Sequence, residues 1–175
     1  GKIYTVIPES AMSDKEIVFQ AINKYANDFN VSSALIKAIC AVESGFVPWR
    51  IRYEPNWKYF YLPGSYAKTL GITLETETHS QATSWGLMQI MGGAAREIGF
   101  DGHLTQLILP DYGIKYGTKK LSLLMKKYSN IKDVIASYNA GMPATDSSGL
   151  YKNQKYVDAV SKACALYQLE VIQNA

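Results

Sequence analysis

Cysteine, histidine and charge are all scarce in this 175-residue chain, and each shortage removes a class of chemistry. Two cysteines, Cys40 and Cys164, cannot build a disulfide framework. Both fall in apolar helical patterns, where cysteine behaves as a small buried hydrophobe, and a single bridge between them needs the last helix to pack on the second. The only histidines are His79 and His103, and no paired Cys or His spacing accompanies them, so no zinc site and no cofactor is expected. Neither histidine has an evident serine and carboxylate arrangement, which argues against serine-based catalysis. Charged residues make up 19% of the chain and the net charge is +3. With the lysines scattered, that balance gives mild attraction to anionic polymers but no basic helix face for nucleic acid. No apolar run reaches the ~20 residues of a membrane span, and residues 1–10 do not read as a signal peptide. Export would therefore need a leader already removed, or another route.

What is present describes one mainly helical domain over residues 1–175, long enough to bury a core. Ser13 and Glu16 offer a capping box for a first helix whose inner face carries Val18, Ile22, Tyr25 and Phe29. A second helix, 33–44, is apolar over most of its circumference and should be central and buried. Pro110 starts another, with Lys119, Lys120, Lys126 and Lys127 expected on its solvated face. A fourth runs from Ile131 to Gly141 and a last one from Asn153 to about Gln168. Between helices two and three, residues 46–79 read as a long non-helical insertion with a small hairpin; the stretch 46–66 alone holds eight aromatic residues and three prolines. Its rings either staple a loop to the body or form a sugar platform, Trp49 and Trp57 being the natural candidates. Arg50, Arg52 and Glu54 alternate with Ile51 and Tyr53, the pattern of a short strand with one polar face.

Within helix two, Ile36, Cys40 and Glu43 share a face, provided Ser32 or Ser33 caps it and Gly45 stops it. A carboxyl held against apolar neighbours resists ionisation, so it keeps a proton near neutral pH, as a general acid must. Taken alone, Glu43 could equally be a solvated residue in a last helical turn. Further along, Gly86, Gly92 and Gly93 permit close backbone approach around a single polar side chain, Gln89, among Leu87, Met88, Ile90 and Met91.

In order along the chain, Glu43-Ser44 with Phe46, Gly86-Leu87-Met88-Gln89 with Ile90-Met91, Tyr138-Asn139-Ala140-Gly141, and Tyr156-Val157 resemble the motifs of the soluble lytic transglycosylase family, whose catalytic domain is related to goose-type lysozyme. The resemblance implies a lysozyme-like helical fold and cleavage of the MurNAc–GlcNAc bond of peptidoglycan, leaving 1,6-anhydro-MurNAc ends. It implies Glu43 as the catalytic acid and then base, supported by Ser80, nine residues before Gln89, and by Tyr138. Met88, Gln89, Asn139 and Tyr156 match groove residues. It further implies a monomer acting on glycan strands in the periplasm or outside the cell. Arg52 to Pro55, RYEP, is similar to stretches of phage-encoded muramidases and points to a virion-associated or released phage lysin.

Three departures stand out. The family's supporting serine follows the glutamate closely, whereas here residues 46–79 intervene; Gly92 replaces the usual proline; and Lys152 lies where many relatives carry an acid. Two alternatives remain open. A hydrolytic muramidase would need a second carboxylate ~6.5–9.5 Å from Glu43 if inverting, and Glu54 is the best candidate unless it pairs with Arg50 or Arg52. A non-catalytic glycan-binding module would keep the aromatics but have no use for Glu43.

Overall fold

The computed structural model describes residues 14–173, with side chains described as far as 170. Ser13, the expected capping residue of the first helix, lies outside that range. The elements run α1 (Asp14–Phe29), α2 (Ser33–Ser44), β1 (Ile51–Tyr53), α3 (Pro63–Leu70), α4 (Leu74–Gln81), β2 (Thr83–Trp85), β3 (Ile90–Met91), α5 (Gly92–Glu97), a 3-10 turn (Leu104–Ile108), α6 (Pro110–Lys127), α7 (Ile131–Ala140) and α8 (Gln154–Gln173). The mainly helical, lysozyme-like character expected from sequence is what is found. Among the described residues no helix is long and apolar enough to cross a membrane.

α2 is the central element. Ile36, Ala38, Ile39 and Cys40 have no exposed surface, and the helix packs on α1 and α8 in a core that also holds Ile114, Leu121, Val134, Ile135, Val157 and Val160. Burying each such aliphatic side chain contributes about 1.5–3 kcal/mol, which is why a helix apolar nearly all round ends up inside. Its limits follow from local chemistry. Ser32 Oγ accepts the Leu35 N–H at 3.5 Å, and Gly45 adopts φ +61° while its N–H returns to Ala41 O at 3.1 Å. Although α8 does pack on α2, Cys40 and Cys164 are both free thiols.

A second, smaller core gathers Trp85, Ile90, Phe100, Leu104 and Leu107 beneath a three-stranded antiparallel sheet. β1 pairs with β2 in the register Ile51↔Trp85, Arg52↔Ser84, Tyr53↔Thr83, and β2 pairs with β3 through Ser84↔Met91 and Trp85↔Ile90. The hairpin expected inside the insertion is thus formed with strands beyond it. All three β1 residues are exposed, and Arg52 of this strand pairs with Glu54 just beyond it.

The insertion is also more helical than its composition suggests. α3 begins with Pro63 at its first turn and ends at Gly71 (φ +66°), and Thr73 caps α4 by accepting the Thr76 N–H at 3.1 Å. α4 escapes an apolar-periodicity reading because the residues it buries are Glu77 and Gln81, one turn apart and both polar. Glu77 forms a bidentate pair with Arg96 of α5, at 2.8 and 3.0 Å, with neither side chain exposed. Both Nη1 protons of Arg96 go to the carbonyls of Phe100 and Gly102, and the Tyr66 ring stacks 4.2 Å from the guanidinium. Gln81 completes the network through Glu77 and both backbone groups of Tyr61. Every charge is hydrogen-bonded, the condition under which a buried pair is tolerated.

Candidate active site

The last turn of α2 leaves the core, and with it Glu43. The next residue, Ser44, is fully buried; its hydroxyl donates to Leu87 O at 2.7 Å while lying 3.0 Å from Cys40 O of its own helix. One serine thereby fixes the end of α2 against the β2–β3 turn, residues 86–89. That turn is tightly placed, because a Cβ on Gly86 (φ +71°) would run into the Leu107 carbonyl. α7 approaches from another side: the Tyr138 hydroxyl donates to Met88 O at 2.8 Å, and Gly141 (φ +82°) ends the helix.

At the junction Glu43 is half-buried, and the Tyr156 hydroxyl of α8 donates to its Oε1 at 2.7 Å. Burial raises the Glu43 pKa above the ordinary carboxylate value; the Tyr156 hydrogen bond and the charges of Lys120 and Arg52 pull against it without cancelling it. The neighbours respond to the same field. Tyr138 and Tyr156 are both pushed up, by burial first and then by the Glu43 charge. Lys120 is half-buried, and its partial removal from water lowers its ammonium to about 8 despite the opposing pull of Glu43. A carboxyl so held can give a proton at neutral pH and, once ionised, is stabilised by an O–H donor and a nearby cation.

Glu43 opens into a cleft of about 720 Å³ whose walls include Lys120, Ser137, Tyr138 and Asn139 on one side and Trp57, Tyr59, Ser84 and Gln89 on the other. Three further charged groups reach it: Arg52, Glu54 and Glu97. Arg52 Nε and Glu54 Oε1 are 2.6 Å apart, the pairing that sequence left open between Arg50 and Arg52. An aromatic edge, an exposed amide and a partly buried acid in one trough suit a polyhydroxylated chain. The Transglycosylase SLT domain family model matches residues 20–160, a span that includes every wall of this cleft and the whole insertion.

The chain belongs to the SLT family.

Members of that family are peptidoglycan lytic transglycosylases, so membership implies peptidoglycan as the substrate class and the cell wall as the place of action. No solved structure matches the chain. Of the candidate site residues read from sequence, the fold brings Glu43, Tyr138, Gln89, Asn139, Trp57 and Glu54 to the one cleft. Asn139 is exposed there; its Oδ1 accepts from Asn153 at 3.0 Å, which leaves its own N–H groups for a ligand.

Others are placed differently. Met88 has no exposed surface: its sulfur sits against Thr118 at 3.9 Å and against Gly117, so it packs the core rather than touching sugar. Gln89 lines the cleft, but both of its amide protons are committed to Arg50 O and Gly86 O, at 2.8 and 2.9 Å. Its Oε1 accepts from Ser84 at 2.9 Å, so this side chain chiefly braces the turn from a left-handed backbone, φ +48°. Tyr156 acts on Glu43 rather than lining the trough. Ser80 belongs to α4, where its carbonyl accepts the Trp85 indole N–H at 2.9 Å, and the serines in the cleft wall are Ser84 and Ser137. Trp49, 68% exposed, borders a separate hollow of about 580 Å³ with Phe19, Phe46 and Tyr167. Gly45 and Phe46 both have φ +61°, and this double left-handed turn sends residue 49 to the outer side of α2, away from Glu43.

Two cleft residues had no motif to announce them. Ser84 and Lys120 both lie in helix or strand patterns that read as ordinary. For Lys120 there was a usable signal: it stands three residues after Gly117 and one before Leu121, both buried on α6, at the edge of the inward stripe. Counting it among the solvated lysines treated charge as a better guide than helical register.

Proposed function

We propose that the chain is a lytic transglycosylase that breaks the MurNAc–GlcNAc bond of peptidoglycan with Glu43 as its only acid and base. The observation that carries this reading is the half-buried Glu43 carboxyl, raised by burial and anchored at one oxygen by Tyr156, which leaves the other for the substrate. In the first step Glu43 gives its proton to the glycosidic oxygen, the C1–O bond breaks, GlcNAc leaves as an alcohol, and positive charge develops on the MurNAc ring. In the second, the Glu43 carboxylate takes the proton of the C6 hydroxyl as O6 bonds to C1. The 1,6-anhydro ring closes, Glu43 is protonated again, and no water enters. Tyr138 and Ser84 shape the site beside the acid, while Trp57 and Asn139 supply a ring face and amide donors to the sugars. The RYEP segment supports a phage lysin as the setting in which this activity is used.

A hydrolytic reading draws on Glu54 lining the same cleft. Its 2.6 Å pairing with Arg52 weighs against a role as water-activating base, because the guanidinium occupies a carboxylate oxygen that would have to face the water. Mass spectrometry of muropeptides released from purified peptidoglycan separates the two. Anhydro ends are expected; reducing ends with Glu54→Gln inactive would overturn the proposal in favour of hydrolysis. Glu43→Gln should bind glycan strands normally and release nothing, and a variant that clears cell walls at the wild-type rate would remove Glu43 from the mechanism and leave a glycan-binding module.

A further inference from the structure

Lys120 is a half-buried ammonium on the same cleft wall as Glu43 that neither the motifs nor family membership account for. Its Nζ donates to Tyr138 O at 2.7 Å and lies 4.3 Å from the centre of the Tyr138 ring. Tyr138 is in turn tied to Met88 O at 2.8 Å, so the cation is held by the same structure that closes around Glu43. Drawing an ammonium even partly out of water is costly unless something offsets its charge. One carbonyl and one ring face do so in part. Glu43 lines the same cleft, and its charge favours the ammonium further.

We propose that Lys120 is the positioning residue that supplies the fixed countercharge for Glu43, favouring its carboxylate when the proton has been given up and before it is taken back. This rests on the reading of Glu43 as acid and then base. The charge of each group favours the charged form of the other, so the interaction is weakest while Glu43 carries its proton and strongest after transfer.

Other groups near the pair do not replace it. Arg52 also draws Glu43 down, but it is 72% exposed and already paired with Glu54, so solvent and partner screen it. Glu97, on the far wall, is exposed. Cys40 beneath the pair is held as a neutral thiol by burial, and Tyr156 contributes a hydrogen bond rather than a charge. Lys120 is the inward cation on this side of the cleft.

The test is a titration of protein carrying 13C-labelled glutamate, in which the Glu43 carboxyl signal is assigned by its loss in Glu43→Gln. Lys120→Met removes the charge with little change of volume. It should move the Glu43 midpoint up by about one pH unit. The alkaline limb of kcat/KM should move in the same direction, and the plateau should fall about threefold because the acid is weaker. Lys120→Arg, which keeps the charge, should bring midpoint and limb back toward wild type. If Lys120→Met does not fold, Lys120→Gln, with an amide donor for the Tyr138 carbonyl, serves the same purpose. A Glu43 midpoint that is the same with and without the charge would overturn the proposal, as would an arginine variant displaced as far as the methionine one. A midpoint that moves in a protein releasing only reducing ends would support the charge pairing while rejecting the transglycosylase reading.

Discussion

At the scale of residues, the site depends on a hydroxyl that sequence placed elsewhere. Tyr156 lies 113 positions from Glu43, and its O–H fixes one carboxyl oxygen at 2.7 Å. Because that bond is made better to the charged form, Tyr156→Phe should raise the Glu43 pKa further and shift the alkaline limb of kcat/KM upward. A hydrogen bond to a charged group is worth about 1.5–3 kcal/mol, so kcat/KM should also fall by about tenfold or more. The pH–rate profile and a melting curve check this together: if the phenylalanine variant keeps the wild-type limb, Tyr156 is a packing residue only. Glu43 itself was legible because an acid ending an apolar helix is conspicuous. The function of Tyr156 was not, since a tyrosine on an amphipathic helix looks the same whether its hydroxyl meets water, sugar or a carboxylate.

At the scale of elements, the uncertain piece was the insertion, and what secures it is polar. α3 and α4 hang on the Glu77–Arg96 pair, through which Tyr61, Tyr66 and Gln81 are tied to α5. Arg96→Met leaves the buried Glu77 carboxylate without its partner. A cost of about 3–5 kcal/mol is expected, with amide exchange in residues 63–81 rising before the rest of the molecule. Replacing both partners by apolar residues should recover much of the loss. Denaturant unfolding with hydrogen exchange reads both effects, and a single-variant cost below about 1 kcal/mol would mean that the insertion is secured by other contacts. The capped, apolar helices α2 and α7 were readable at nearly their observed limits, as was the start of α6 at Pro110. α4 was not, because periodicity arguments follow apolar residues and its inward face is Glu77 and Gln81.

At the scale of the whole molecule, the site works against stability. A carboxyl whose pKa is higher folded than unfolded binds protons more tightly in the folded state, so stability falls as pH rises from the unfolded value, near 4.5, through the folded one. Lys120, lowered from 10.5 to about 8, acts oppositely: the unfolded chain holds its proton more tightly, and stability is regained between those values. Glu43→Gln should therefore be more stable than wild type at neutral pH, with the difference closing below about pH 4. Thermal melts across pH 3–8 test this, and a glutamine variant that melts at or below wild type at pH 7 would contradict it. By itself the amino-acid order determined the helical class, the caps and the apolar stripes, because these depend on neighbours within a few positions. It also marked Glu43, the β2–β3 turn and the end of α7 as a set. Only the tertiary structure decided which side chains share the cleft. Trp49 turns away, Met88 packs inside, Ser84 and Ser137 rather than Ser80 line the cleft, and Tyr156 and the charge of Lys120 act on one acid. Those outcomes depend on backbone turns, and on contacts between residues far apart in the chain, that no local pattern encodes.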